Sequence, residues 1–353
     1  MLLFHLIFDL GDLFIQSDLA KVLETIAEKG RAGFYEGEIA KKIVKDLQSN
    51  GSVLNLKDLK NYKALESKIL TGRYNDKNIH SLFLPSFGAI TIQILQILDH
   101  LKIPKNENEW SIQHGKATEM AYQFRDLQTD SVKLSEIISY DKAEQLANKI
   151  FNKDEKTSLI TNKIPISWTS VDGHTTHLTT ADNWGNVVAL TQTIGPTMGS
   201  KVASKGLGFL YAVTLGGYLG NYKPGDRANS HISPTLIEKN GKILLALGAA
   251  GGSRIIPAVT QVTDRYFRQK QSLENALKSP RVYPYNDSLW VENHTGIEKL
   301  NASFVDKKIP IKYIDEIARF GRVHAIALED QKWVGSADPD WEGTTEYFPA
   351  NED

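Results

Sequence analysis

Apolar and polar positions along the 353-residue chain follow two different periods, and the change between them falls near residue 160. In the first half the period is helical. Leu19, Val22, Leu23, Ile26 and Ala27 repeat at i, i+3, i+4, i+7 and i+8, which predicts a helix capped by Ser17 and stopped by Gly30. Ile39, Ile43, Val44 and Leu47 repeat likewise and end at Asn50-Gly51. Further helical patterns run through 89–101, 114–128 and 141–152, separated by Lys-rich polar connections. Residues 1–16 form the most apolar stretch near the start, but His5, Asp9 and Asp12 break it. A membrane helix needs about 20 apolar residues, so the stretch is expected to be a core strand or helix edge. It also lacks the basic start and small-residue cleavage site of a signal peptide.

Beyond residue 160 the chain is rich in Thr, Val and Ile and poor in helical spacing. Residues 177–181 and 187–193 read as strands around Asn183-Trp184-Gly185, a three-residue hairpin loop with glycine at the left-handed position. A second pair, 233–239 and 242–248, brackets Asn240-Gly241, a strong hairpin signal. A Gly-rich segment, Gly248 to Arg254, then leads into a helical pattern over 255–269, and 323–343 reads as a strand pair and a loop. Helices first, then hairpins, then a helix predict an α+β fold with helical layers on antiparallel sheets.

Charge and composition narrow the chemistry. Lys+Arg number 41 against 42 Asp+Glu, a net charge of −1, without the clustered basic excess that nucleic-acid binding requires. No cysteine is present, which excludes thiol nucleophiles, disulfides and Cys-based metal sites.

Three features carry candidate chemistry. If the hairpin turns on Trp184, Thr175 and Thr193 are equidistant from it and face each other across the strands, with Cβ atoms about 5 Å apart. Thr–Thr pairs are also ordinary in strands. His174 and His177 have an H-x-x-H spacing, but on a strand they point to opposite faces, so no metal and no cofactor is expected. Gly248–Arg254 could present backbone N–H groups to an anion. It lacks the lysine of a phosphate-binding loop and the G-x-G-x-x-G pattern, and close backbone packing explains the glycines better.

Asp172-Gly-His-Thr-Thr-His177, with Asp182-Asn-Trp-Gly-Asn186 and Leu190-Thr-Gln-Thr193, resembles the processing site and small-subunit start of the gamma-glutamyltransferase family. Ser17-Asp-Leu-Ala, Gly33-Phe-Tyr-x-Gly37 and Lys57-Asp-Leu-x-x-Tyr62 resemble the later part of its large subunit. Gly248-x-x-Gly-Gly-Ser-Arg-Ile255, Ser279-Pro-Arg281 and Ala337-Asp-Pro-Asp-x-x-Gly343 resemble the rest of the small one. The resemblance implies an N-terminal-nucleophile hydrolase with αββα layering. It implies self-cleavage between His174 and Thr175, giving 1–174 and 175–353, which stay associated as one domain. Thr175 would be the nucleophile, with its freed α-amine as base. Thr193 would orient it, and Gly251 and Gly252 would form the oxyanion hole.

Departures from the family pattern bear on the acyl group. The asparagine expected two positions after the second threonine is Gly195. Thr214 and Gly217 stand where the family holds the α-amino group of glutamate. Ser230 matches one serine of the carboxylate-binding pair, and His231 replaces the other. Nine residues between Gly217 and Arg227 are too few for the family's long lid. The family's earlier large-subunit part, with the arginine that grips the γ-glutamyl carboxylate, has no counterpart in this sequence. The expected protein is thus an N-terminally truncated or divergent amide hydrolase or acyltransferase, acting on γ-glutamyl or related amides with water or an amine as acceptor. Two competing readings are a catalytically inactive truncated paralogue and phosphate binding through Gly248–Arg254. From this start the chain reads as cytoplasmic; if Met1 is not the true start, it reads as exported.

Overall fold

The computed structural model describes residues 11–129, 131–150, 173–214, 222–286, 288–293, 310–315, 320–340 and 343–348. The first ten residues, 151–172 and 215–221, Gly217 among them, lie outside the described residues. The chain divides into two compact units: one runs to Glu66 and includes Met198–Ala212, and the other comprises Ser67–Thr197 and Val213 onward.

The first unit holds α1 (Ser17–Tyr35), α2 (Gly37–Ser49) and α3 (Leu56–Asn61). Val22, Ile39 and Ile43 bury against Leu207, with Phe34, Leu47 and Phe209 around them. One expectation for α1 needs correction: Gln16, not Ser17, occupies its N-cap position, and the Gln16 side chain makes no capping bond. Gly30 leaves helical geometry with a φ of 56°, so the first helical run stops there as expected, and a second run continues beyond this kink to Tyr35. The described part of the apolar start is not core either, since Leu13, Phe14 and Ile15 are exposed.

The second unit is built on a six-stranded antiparallel sheet of order β1-β2-β5-β6-β10-β11. Its strands are β1 (Ile69–Tyr74), β2 (Lys77–Leu82), β5 (Thr235–Lys239), β6 (Lys242–Ala250), β10 (Arg322–Glu329) and β11 (Lys332–Ser336). Asn240 and Gly241 both have positive φ, as the tight turn between β5 and β6 requires. A separate two-stranded sheet pairs β3 (Gly173–Ala181) with β4 (Val187–Pro196). A third sheet contains β7 (Val282–Tyr285), β8 (Ser288–Glu292) and β9 (Ile311–Ile314). The helices are α4 (Gly88–Asp99), α5 (Glu107–Tyr122), α6 (Ser131–Ile137), α7 (Tyr140–Ile150), α8 (Ile255–Phe267) and α9 (Leu273–Lys278). α4 lies on β1 and β2, α8 lies on β6 and β10, and the β3–β4 hairpin packs on β6 and β10. Burial of Ile90, Ile94, Leu95 and Leu98 from α4, Val259 and Val262 from α8, and Ile79, Leu245, Leu247 and Val323 from the sheet forms the main core.

A buried carboxylate lies beside that core. Asp264, at 0% exposure on α8, accepts hydrogen bonds from Trp110 Nε1 (3.0 Å), His114 Nε2 (3.1 Å), Arg268 Nη1 (2.7 Å) and Tyr74 OH (3.4 Å). Burial alone would raise its carboxyl, but His114 and Arg268 bring it down to about 2. Burial keeps His114 neutral, so its Nε2–H donates. The cluster ties α5, α8 and β1 together. Asp264→Ala strands the Arg268 guanidinium in the core and is expected to cost about 3–5 kcal/mol in urea unfolding; a loss below 1 kcal/mol would remove the hub from the account.

Candidate active site

The β3–β4 hairpin is set by its turn. Gly185 takes a φ of 89°, and the Asp182 carboxylate accepts from the Trp184 and Asn186 amides. The strands then pair with Ala181 opposite Val187 and Thr175 opposite Thr193. Thr175 Oγ1 donates to Thr193 Oγ1 at 3.0 Å, and the Gly195 amide donates to the same Thr193 oxygen at 3.0 Å. The register shifts between Gly173 and Thr175: Gly173 pairs with Pro196 and Thr175 with Thr193, so the extra residue is in β4, where Ile194 and Gly195 stand opposite His174, whose side chain lies outside the described residues.

Alternation along the hairpin puts Thr175, His177, Thr191 and Thr193 on one face. His177 is buried, and its Nδ1 lies 2.7 Å from Thr191 Oγ1. Its ring rests directly on Gly248 of β6, where any Cβ would come within 2.4 Å of the imidazole. Burial, with His324 nearby, pushes the His177 pKa down to about 3. The neutral ring therefore hydrogen-bonds Thr191 and packs as an apolar plate. The signal for this role in the sequence is the place of His177 two residues beyond Thr175, on the same face of the strand.

β6 runs on from Gly248 into the Gly-rich turn. Gly251 (φ 131°) and Gly252 (φ 60°) are consecutive residues in the left-handed region, followed by a 3-10 turn over Gly252–Arg254 that opens α8. Gly251 is also pinned sterically, since a Cβ there would meet Gly321 Cα at 2.9 Å.

The other expected site residues fall in two places. Thr214 follows Val213, whose amide donates to the Ile194 carbonyl, beside the end of β4. Ser230 and His231 lie by the start of α4: the Ser230 amide donates to the Pro85 carbonyl, and the His231 ring stacks on Phe87 at 5.2 Å. Burial, with Arg125 nearby, pushes the His231 pKa down to about 3. Among the described residues no group of three His, Asp or Glu side chains is placed to hold a metal ion.

A sequence profile of the Gamma-glutamyltranspeptidase family matches residues 5–348. The chain belongs to that family. It is 31% identical over 317 residues to the glutathione hydrolase proenzyme of Escherichia coli, covering 82% of this chain and 53% of that protein. It is 25% identical over 347 residues to the capsule biosynthesis protein CapD proenzyme of Bacillus anthracis, covering 95% and 62%. The chain thus spans about half the length of the glutathione hydrolase proenzymes it matches. Its fold superposes on the cephalosporin acylase from Bacillus halodurans with a TM-score of 0.77 at 20% identity, over 95% of this chain and 64% of that one. The fold, helices layered on stacked antiparallel sheets in an αββα sandwich, is shared with that acylase.

Within that family, Gly195 has a local physical cause. It sits at φ 94°, and a Cβ would come within 2.2 Å of the Val213 carbonyl oxygen. Gly195→Asn is expected to destabilise by about 1–3 kcal/mol and to restore no family property; an unchanged urea midpoint contradicts this.

Two of the buried neutral imidazoles, His177 and His231, also predict a pH response. His177 and His231 have folded pKa values of about 3, against an ordinary value near 6.5. Stability they confer is present above pH 6.5 and is lost as pH falls from there toward 3, because only the unfolded chain binds those protons. Urea midpoints should drop steadily across that window, and less steeply in His177→Asn. A midpoint flat from pH 7 to 4 rules the explanation out.

Proposed function

We propose that the chain is a self-processing threonine amidase acting on γ-glutamyl or related amides, with Thr175 as nucleophile. The observation that carries this is the Thr175–Thr193 hydroxyl pair at 3.0 Å, beside a register shift opposite the bond to be cut. In maturation, Thr175 Oγ1 attacks the His174 carbonyl carbon. The C–N bond breaks, its nitrogen takes the proton and becomes the Thr175 α-amine, and water hydrolyses the resulting ester. In turnover, that amine has an ordinary pKa of about 7.7–8.0, close to neutral. It accepts the hydroxyl proton as Oγ1 attacks the substrate carbonyl and passes it to the leaving amine. Water then releases the acyl group.

Thr193 receives the Thr175 hydroxyl and is itself fixed by the Gly195 amide, so the nucleophile is held in one orientation. Gly251 and Gly252 would face the oxyanion with their N–H groups, a role typically worth about 3–4 kcal/mol per donor. Ser230 and His231 would contribute to acyl recognition. The names of the relatives support proenzyme processing and γ-glutamyl chemistry, and the altered Gly195, Thr214, Gly217 and His231 positions support a changed acyl preference. The short connection after Gly217 favours water over an amine acceptor.

Intact-mass measurement tests the reading. The 39.4 kDa chain should resolve into 1–174 and 175–353, and Thr175→Ala should stay whole. A folded wild-type chain that remains uncut, with no turnover of a γ-glutamyl anilide, supports the inactive-paralogue reading instead. Thr193→Val, which keeps the shape and removes the hydroxyl, should slow turnover by about 10- to 100-fold. Unchanged turnover would free Thr193 from the mechanism.

A further inference from the structure

We propose that Tyr122 and Tyr283 are positioning residues that hold the Gly251–Gly252 turn in place through Ser253. This deepens the amidase reading and rests on it for its catalytic consequence. Tyr122, at the C-terminal end of α5, donates its hydroxyl to the Ser253 carbonyl at 2.6 Å. Tyr283 of β7 shares a 3.0 Å hydrogen bond with Ser253 Oγ. Ser253 immediately follows the two glycines, and both its backbone and its side chain are fixed. All three residues are buried. Burial raises both phenols, so their protons stay available to donate at any working pH. The turn is also stopped by Gly321, whose Cα leaves no room for a Cβ on Gly251. Two left-handed glycines in succession have little rigidity of their own, so this bracing determines where their N–H groups point.

Tyr122 precedes the His174–Thr175 bond and Ser253 follows it. After cleavage the Tyr122 hydrogen bond would join the two fragments, so the first fragment would help shape the oxyanion hole of the second. Oxyanion donors act only when held where the charge develops, and a misplacement of about 1 Å can cost about 100-fold.

The test compares wild type with Tyr122→Phe, Tyr283→Phe, Ser253→Ala and the double variant Tyr283→Phe/Ser253→Ala. It uses turnover of γ-glutamyl-p-nitroanilide and hydrogen exchange of the 248–255 backbone. Tyr122→Phe should lower kcat about 10-fold or more with KM within two-fold, speed exchange in that segment alone and leave the melting temperature near wild type. If Tyr283 acts through the Ser253 hydroxyl, the double variant should lose no more kcat than either single one. Unchanged kcat and exchange in Tyr122→Phe overturn the proposal; equal losses in kcat and stability with exchange faster everywhere do so too. Should Tyr122→Phe not fold, the Tyr283 and Ser253 cycle decides alone, and additive losses reject it. If wild type turns over no anilide, the amidase reading fails. Exchange then decides by itself: faster local exchange upholds the bracing, and unchanged exchange ends it.

Discussion

The geometry of the site depends on the contact between the His177 ring and Gly248. A two-stranded hairpin is marginal alone, and this one is fixed by being laid on the large sheet. Gly248 is where that seating happens, because a side chain at that position would collide with the imidazole. The same contact gives the hairpin its sidedness. With His177 inward, the two-residue period turns Thr175, Thr191 and Thr193 inward as well, and Leu178, Val188 and Leu190 outward. Gly248 lies three residues before Gly251, so the strand that seats the hairpin also delivers the Gly-rich turn. A one-residue slip in either element would separate the hydroxyl pair from the rest.

The helical layer is fastened in a related way. α5 and α8 run antiparallel and are pinned at both ends. At one end Trp110 and His114, early in α5, meet Asp264, late in α8. At the other, Tyr122, closing α5, meets Ser253, just ahead of α8. Polar groups do the pinning: the Asp264 carboxylate and the Ser253 carbonyl each accept from donors on α5, which offsets the cost of burying them. Asp264 stays ionised because Arg268 and a donating, neutral His114 surround it. The outcome is a stiff pair of helices whose near end carries the turn before α8.

Much of this was legible in the sequence, for identifiable reasons. The Thr175–Thr193 pairing followed from counting outward from Trp184, because a hairpin's register is fixed by its loop. The helices of the first unit followed from their apolar spacing. The β1–β2 hairpin did not, since its inward positions are Leu70, Gly72 and Tyr74, and a glycine there breaks the alternation that marks a strand. Gly72 is required by the close approach of Ile92, which is a tertiary fact. The helix α5 was only partly visible, because its buried face carries Gln113, His114 and Thr118 among apolar residues. Tyr122 was invisible for a stronger reason. Its partner is a backbone carbonyl 131 positions away, and carbonyls leave no trace in a residue pattern.

His231 shows how burial decides what a polar side chain can offer. Its imidazole stacks on Phe87, and the Arg125 guanidinium sits 4.8 Å over that same Phe87 ring. Phe87 is the N-cap residue of α4, so the stack stands at the helix end that carries partial positive charge. Burial, with Arg125 nearby, keeps His231 neutral, which leaves it unable to act as a cation toward an acid. All three side chains are buried, so the stack holds the segment carrying Ser230 against the start of α4 by packing.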